Sequence, residues 1–146
     1  MPEQFEPVAV SIALSDLVIC EQGTGKISLI GCFNNFNLPH FPFPTTPFYV
    51  TVSLTNLLPS IKAYDVIVRI EDQKNGNVLV SAGTHFELND PIVVIKEFVW
   101  DVPVFVMPFL VPQPGHYLIK VLANNEQAGK RLLTVNSINA PAKPHN

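Results

Sequence analysis

The alternation of apolar and polar residues is clearest over residues 48–55, where Phe48, Val50, Val52 and Leu54 interleave with Tyr49, Thr51, Ser53 and Thr55. A period of two predicts a strand with one buried and one solvated face. The same pattern recurs along the chain. Val8, Val10, Ile12 and Leu14 predict a first strand, Asp16 a bend or bulge, and Leu17 to Cys20 its apolar continuation. Gly23 and Gly25 then supply a tight reversal into a second strand over residues 27–33, which breaks at Asn34-Asn35. Further strands are predicted over residues 64–71, 78–88, 92–102, 117–123 and 130–135. Residues 104–111 predict a short edge strand or a crossing, because Pro108 cannot donate to a central ladder. These elements predict an all-β chain: a two-layer antiparallel β-sandwich, immunoglobulin-like or jelly-roll-like, of roughly 7–9 strands. The expected organisation is a single domain over residues 1–137 with a flexible C-terminal tail over 138–146.

One turn can be placed more closely. Between the strands over 64–71 and 78–88 runs Gln73-Lys74-Asn75-Gly76-Asn77. A two-residue Asn-Gly turn would set Ile70 opposite Ser81 and mix buried with solvated faces. A three-residue loop with Gly76 left-handed pairs Ile70 with Val80 and Val68 with Ala82, so the hydrophobic parity selects it. That register puts Asp65 opposite His85 on the outer face and predicts Arg69 and Glu87 within diagonal reach.

Composition narrows the class. With 47% hydrophobic and 14% charged residues among 146, the chain is a folding one. Fourteen prolines are about twice ordinary usage, and they fall between the alternating runs. A net charge of −3, with the basic residues scattered in sequence, argues against nucleic acid. Glu3 and Glu6 precede the apolar run from Val8, which Asp16 interrupts, so neither a signal peptide nor a membrane span is expected. Placing Cys20 opposite residue 28 leaves Cys32 too distant for a bridge, which predicts two reduced thiols in a cytoplasmic protein.

Ser15-Asp16-Leu17-Val18, the run Gly25-Lys26-Ile27-Ser28-Leu29-Ile30-Gly31-Cys32-Phe33-Asn34 and the later Pro114-Gly115-His116-Tyr117 together resemble an uncharacterised family of small bacterial β-sandwich proteins, a domain of unknown function. The resemblance spans most of the chain and implies the sandwich fold. It brings no assigned activity and therefore no site residue. Asn34 stands where an Asp is commoner in that family, which argues against a required carboxylate there.

Sites are sparse. There is no Gly-x-Ser-x-Gly, no His-Glu-x-x-His and no Gly-rich phosphate loop before a helix, so an enzyme is not expected. Asp65, Arg69, His85 and Glu87 form a candidate polar patch; His85 and Glu87 offer two metal ligands where a stable site needs three or four, and no metal or cofactor is expected. Phe36, Phe41 and Phe43 sit in the Pro-rich connection over residues 34–47, either offered to a partner or closing one end of the sandwich. Trp100, Phe105 and Phe109 belong to a run over 92–111 more apolar than one buried face requires, which burial on both sides or a subunit interface would explain. These six residues are the candidate interaction set. The expected function is a non-enzymatic interaction or assembly module whose partner is a protein or a second copy of itself. The alternative is a small-ligand or carbohydrate-binding sandwich, which an exposed, coplanar Trp100 and Tyr49 would favour.

Overall fold

In the computed structural model, which describes residues 7–57, 61–87 and 99–138, alternating runs become strands and no helix forms among them. The strands are β1 (Val8–Cys20), β2 (Ile27–Phe33), β3 (Asn35–Leu38), β4 (Phe43–Pro44), β5 (Phe48–Thr55), β6 (Ala63–Asp72), β7 (Val78–Glu87), β8 (Trp100–Val106), β9 (Leu110–Val111), β10 (Gly115–Ala123) and β11 (Glu126–Ser137). They make a four-stranded sheet in the order β2-β1-β5-β8, a five-stranded sheet in the order β3-β11-β10-β6-β7, and the small β4-β9 ladder. Val50, Val52 and Leu54 of the first sheet share one apolar cluster with Val66, Val68, Ile119 and Val121 of the second, each at most 1% exposed. The period of two therefore works on both sheets at once.

Several expectations need correction. Asp16 does not end the strand: β1 runs on to Cys20, although the β1–β2 ladder skips Asp16 and Gly31, the latter left-handed at φ 70°. The Asp16 carboxylate lies over Gly31, where a Cβ would stand 2.5 Å from Asp16 Oδ2, so the missing side chain on β2 lets β1 continue. Cys20 faces Ile27, not residue 28, because Glu21 and Lys26 close the hairpin by an amide-to-carbonyl bond of 2.8 Å. β8 passes straight through Pro103, paired with β5 from Phe48↔Val106 to Leu54↔Trp100. Among the described residues β8 has no second neighbour in its sheet, and on such a strand a proline whose nitrogen faces away loses no ladder bond. Of the strand expected over 92–102, residues 92–98 lie outside the described residues.

The sheets are not wholly antiparallel. Asn35–Leu38, inside the Pro-rich connection, pairs parallel with Thr134 to Ser137 of β11. An asparagine ladder fixes it, Asn37 Oδ1 accepting from Asn35 and Asn136 side chains at 3.2 Å each. Arg131 ties the same corner, donating to the Ile12 carbonyl at 2.6 Å and to Asn34 Oδ1. At the other end of β11, Asn124 and Asn125 both have positive φ (47° and 69°) and form a two-residue hairpin between Ala123 and Glu126.

The turn after β6 keeps the expected parity with a different loop. Ile70 pairs with Val80 and Val68 with Ala82; Gly76 is left-handed at φ 73°, and Asn75 is not. The loop spans residues 73–76, since Asp72 N bonds Asn77 O at 2.8 Å, and the extra residue is a bulge between Val78 and Val80. The Gln73 amide is claimed by the His116 carbonyl of β10 at 3.2 Å, which removes it from the β6–β7 ladder. Beside it, Tyr117 donates its hydroxyl to the Gln113 carbonyl at 2.5 Å, the local geometry of a tyrosine corner.

Candidate interaction surfaces

On the outer face of the five-stranded sheet, Asp65 and His85 are direct cross-strand partners. Asp65 Oδ1 lies 2.7 Å from His85 Nδ1, and Glu87 Oε1 lies 3.6 Å from Nε2. All three side chains are more than half exposed. The His85 pKa is raised above 6.5, chiefly by the hydrogen bond to Asp65, with partial desolvation opposing and Glu87 adding to the rise. Arg69 is not part of this cluster. It stands opposite Ser81, four residues along both strands and roughly 13 Å away at strand spacing, which corrects the expectation of diagonal reach. Among the described residues no group of three or more His, Cys, Asp or Glu could hold a metal ion.

Arg69 belongs to a different row. Lys120 is its neighbour on β10, and Lys130 is the neighbour of Lys120 on β11. Three cations thus lie side by side across three strands, a clustering invisible in a sequence where they are 51 and 10 positions apart. Like charges directly opposite repel, and Glu71, 2.7 Å from Lys120 Nζ, offsets one of them. Between this row and the Asp65–His85 pair runs an apolar row, Leu122, Ile67 and Gly83. The missing side chain at Gly83 opens a depression of about 400 Å³ lined by Ile67, Asp65, His85 and Asn125.

The candidate aromatic residues divide. Phe36, Phe41, Phe43 and Trp100 are half-buried against the core, and Phe109 is 8% exposed. Phe36 meets Phe33 and Phe48 with ring centroids 5.1 and 5.3 Å apart. Phe105 is the member of the set that stands out from the surface, 44% exposed. It contacts Tyr49 edge-on at 5.2 Å, on the outer face of the four-stranded sheet. Leu17 and Ile30, cross-strand partners there, are 54% and 45% exposed. Thr51 on the same face is buried, with its hydroxyl unpartnered. Trp100 faces the other way: it pairs with Leu54 of the core and stacks on Phe86 at 6.1 Å.

This is an all-β chain whose described surface brings together charged rows and exposed apolar side chains. It belongs to the family of unknown function DUF6941, whose model matches residues 10–136. No curated protein matches it. Among solved structures, the Pseudomonas fluorescens alkylpurine DNA glycosylase AlkC bound to DNA containing an abasic site analog is similar over 70% of this chain and 27% of that chain, at 16% identity and a TM-score of 0.39. The chain thus spans about a quarter of the glycosylase's length, and a likeness at that level says nothing of shared chemistry.

Proposed function

We propose that this protein is a two-layer β-sandwich acting as a non-enzymatic assembly module in the bacterial cytoplasm, with protein partners and first of all a second copy of itself. The sandwich reading is supported by the single core that both sheets enter, and the compartment reading by Cys20 and Cys32, both free and exposed. One observation carries the functional reading. Large apolar side chains stand exposed on the outward faces of both sheets, Leu17, Ile19, Ile30 and Phe105 on one and Leu132 on the other. Exposed apolar groups gathered on a strand face favour association. A carbohydrate platform has less support, because Trp100 and Tyr49 face opposite sides of their sheet. The test is solution mass by multi-angle light scattering from micromolar to millimolar concentration. The expected mass is at least twice the 16.1 kDa of one copy; a chain at 16.1 kDa throughout refutes self-association.

A further inference from the structure

The outward residues of β6 are Asp65, Ile67 and Arg69 in succession, with partners His85, Gly83 and Ser81 on β7. An acid and a base therefore stand at equal distances, roughly 7 Å each way along the strand, from an apolar centre. This arrangement is self-complementary. A two-fold axis lying in the plane of contact and crossing the strands at Ile67 sends Ile67 onto itself, Asp65 onto Arg69 and Arg69 onto Asp65. The same operation lays Leu122 and Gly83, which share Ile67's row, over their own counterparts. It also sets the row of Lys120 and Arg69 over the opposite copy's Asp65 row.

We propose that a second copy of this chain docks face to face on the outer surface of the five-stranded sheet about that axis, with Ile67 at its centre and Arg69 of each copy against Asp65 of the other. The proposal rests on the reading of the protein as self-associating and assigns that association to the five-stranded sheet's outer face, where Leu132 stands exposed, leaving Leu17, Ile19, Ile30 and Phe105 on the other sheet to other protein partners. Three observations select a second copy as the occupant. Among the described residues Arg69 makes no ion pair within its own chain, and Glu71 is already engaged by Lys120, so a cation with two cationic or neutral cross-strand neighbours lacks a counter-charge. Asp65 lies on the same face at the distance a two-fold contact requires, and although its Oδ1 bonds His85 its side chain is 69% exposed, whereas that of Glu71 is 11% exposed. The midline between Arg69 and Asp65 is apolar, so that Ile67 and Leu122 of one copy meet Ile67 and Leu122 of the other, while the open depressions at Gly83 face one another. A nucleic acid would meet Asp65 and Glu87 on this face as well as the cations, and the chain's net charge of −3 adds to that repulsion. An isologous contact of this kind closes at two copies.

The experiment uses the full chain with Cys20 and Cys32 replaced by serine, so that no other thiol can cross-link. Asp65→Arg and Arg69→Asp are each expected to weaken dimerisation about tenfold or more in light scattering, since each sets like charges together twice across the axis. The double variant D65R/R69D restores it to within a few-fold of the parent, an outcome that loss of fold cannot produce. Ile67→Cys is expected to give a covalent dimer with a short bis-maleimide cross-linker, since sheets packed face to face stand about 10 Å apart, and Leu17→Lys, on the other sheet, to leave the dimer intact. A parent protein that is monomeric at every concentration overturns the self-association reading and this interface with it. A parent that dimerises but ignores both charge reversals, lacks the Ile67→Cys cross-link, or is dissociated by Leu17→Lys overturns the interface while self-association stands.

Discussion

Where β1 crosses β11, the two larger sheets touch backbone to side chain. A Cβ built on Gly129 would lie 2.8 Å from Ala9 Cβ, 3.5 Å from the Ala9 carbonyl oxygen and 3.7 Å from Ile12 Cδ1. Carbon atoms prefer roughly 3.5–4.0 Å, so Gly129→Ala requires the strands to separate by about 1 Å. Gly129 has no left-handed φ, so backbone strain adds nothing and the cost is steric. Both neighbours are held by ladders, β1 by β2 and β5 and β11 by β10 and β3, which limits relaxation. Overpacking of this kind costs about 1–3 kcal/mol, a fall in Tm of about 3 °C for each kcal/mol in a chain of this size. Ala9→Gly alone should cost about 0.5–1 kcal/mol through backbone entropy. In the double variant A9G/G129A the methyl group has only moved across the crossing, and its cost should approach that of Ala9→Gly. Urea unfolding followed by fluorescence of Trp100, the single tryptophan, measures all four proteins. If the two substitutions add to within about 0.5 kcal/mol, the steric account of the crossing is wrong.

Gly76→Val should cost about 1–2 kcal/mol or more, since it forces a β-branched residue into a left-handed turn, while Asn75→Ala should cost less; urea midpoints of the two variants decide. Thr51→Val should raise stability by about 1 kcal/mol, because it replaces a buried hydroxyl without a partner by a methyl group of similar shape; a thermal melt that falls would count against it. His85 should titrate by NMR above 6.5, and Asp65→Asn should bring it down, because the Asp65 hydrogen bond is the largest cause of the rise. With its folded pKa raised, His85 contributes stability that is fully present below pH 6.5 and lost as pH rises through the folded value. A His85 midpoint unchanged by Asp65→Asn would refute that assignment.

The elements most legible in the sequence were those whose alternation is unbroken. Residues 48–55 gave β5 to the residue, and the parity of Val68 and Ile70 against Val80 and Ala82 gave the β6–β7 register and so the Asp65–His85 pair. β3 was harder to read. Asn35, Phe36, Asn37 and Leu38 do alternate, but four residues beside a proline-rich stretch carry little weight, and their partner in β11 is about a hundred positions away. The Asn124-Asn125 hairpin was readable in principle, since asparagine tolerates positive φ better than most residues. The cation row could not be read at all. Lys130, Lys120 and Arg69 become neighbours only once β11, β10 and β6 are set side by side, and local pattern says nothing about strand order. Arg69 was misplaced for a related reason, because a shared face does not imply a short distance along the strand.

The parallel pairing of β3 with β11 has a consequence for how the chain reaches this structure. The Asn37–Asn136 contact closes a loop of 99 positions, and the bond from Arg131 to Ile12 closes one of 119. Loop-closure entropy for such contacts must be met before they return any stabilisation, which places the fold among the slower topologies, in the millisecond-to-second range. During synthesis the β1–β2 hairpin is available early. The corner at Asn34 and Ile12 that β11 secures stays open until residues 126–137 have been made. A nascent chain therefore carries the β1–β2 hairpin with this corner unfastened until β11, the last described strand, has emerged to fasten it.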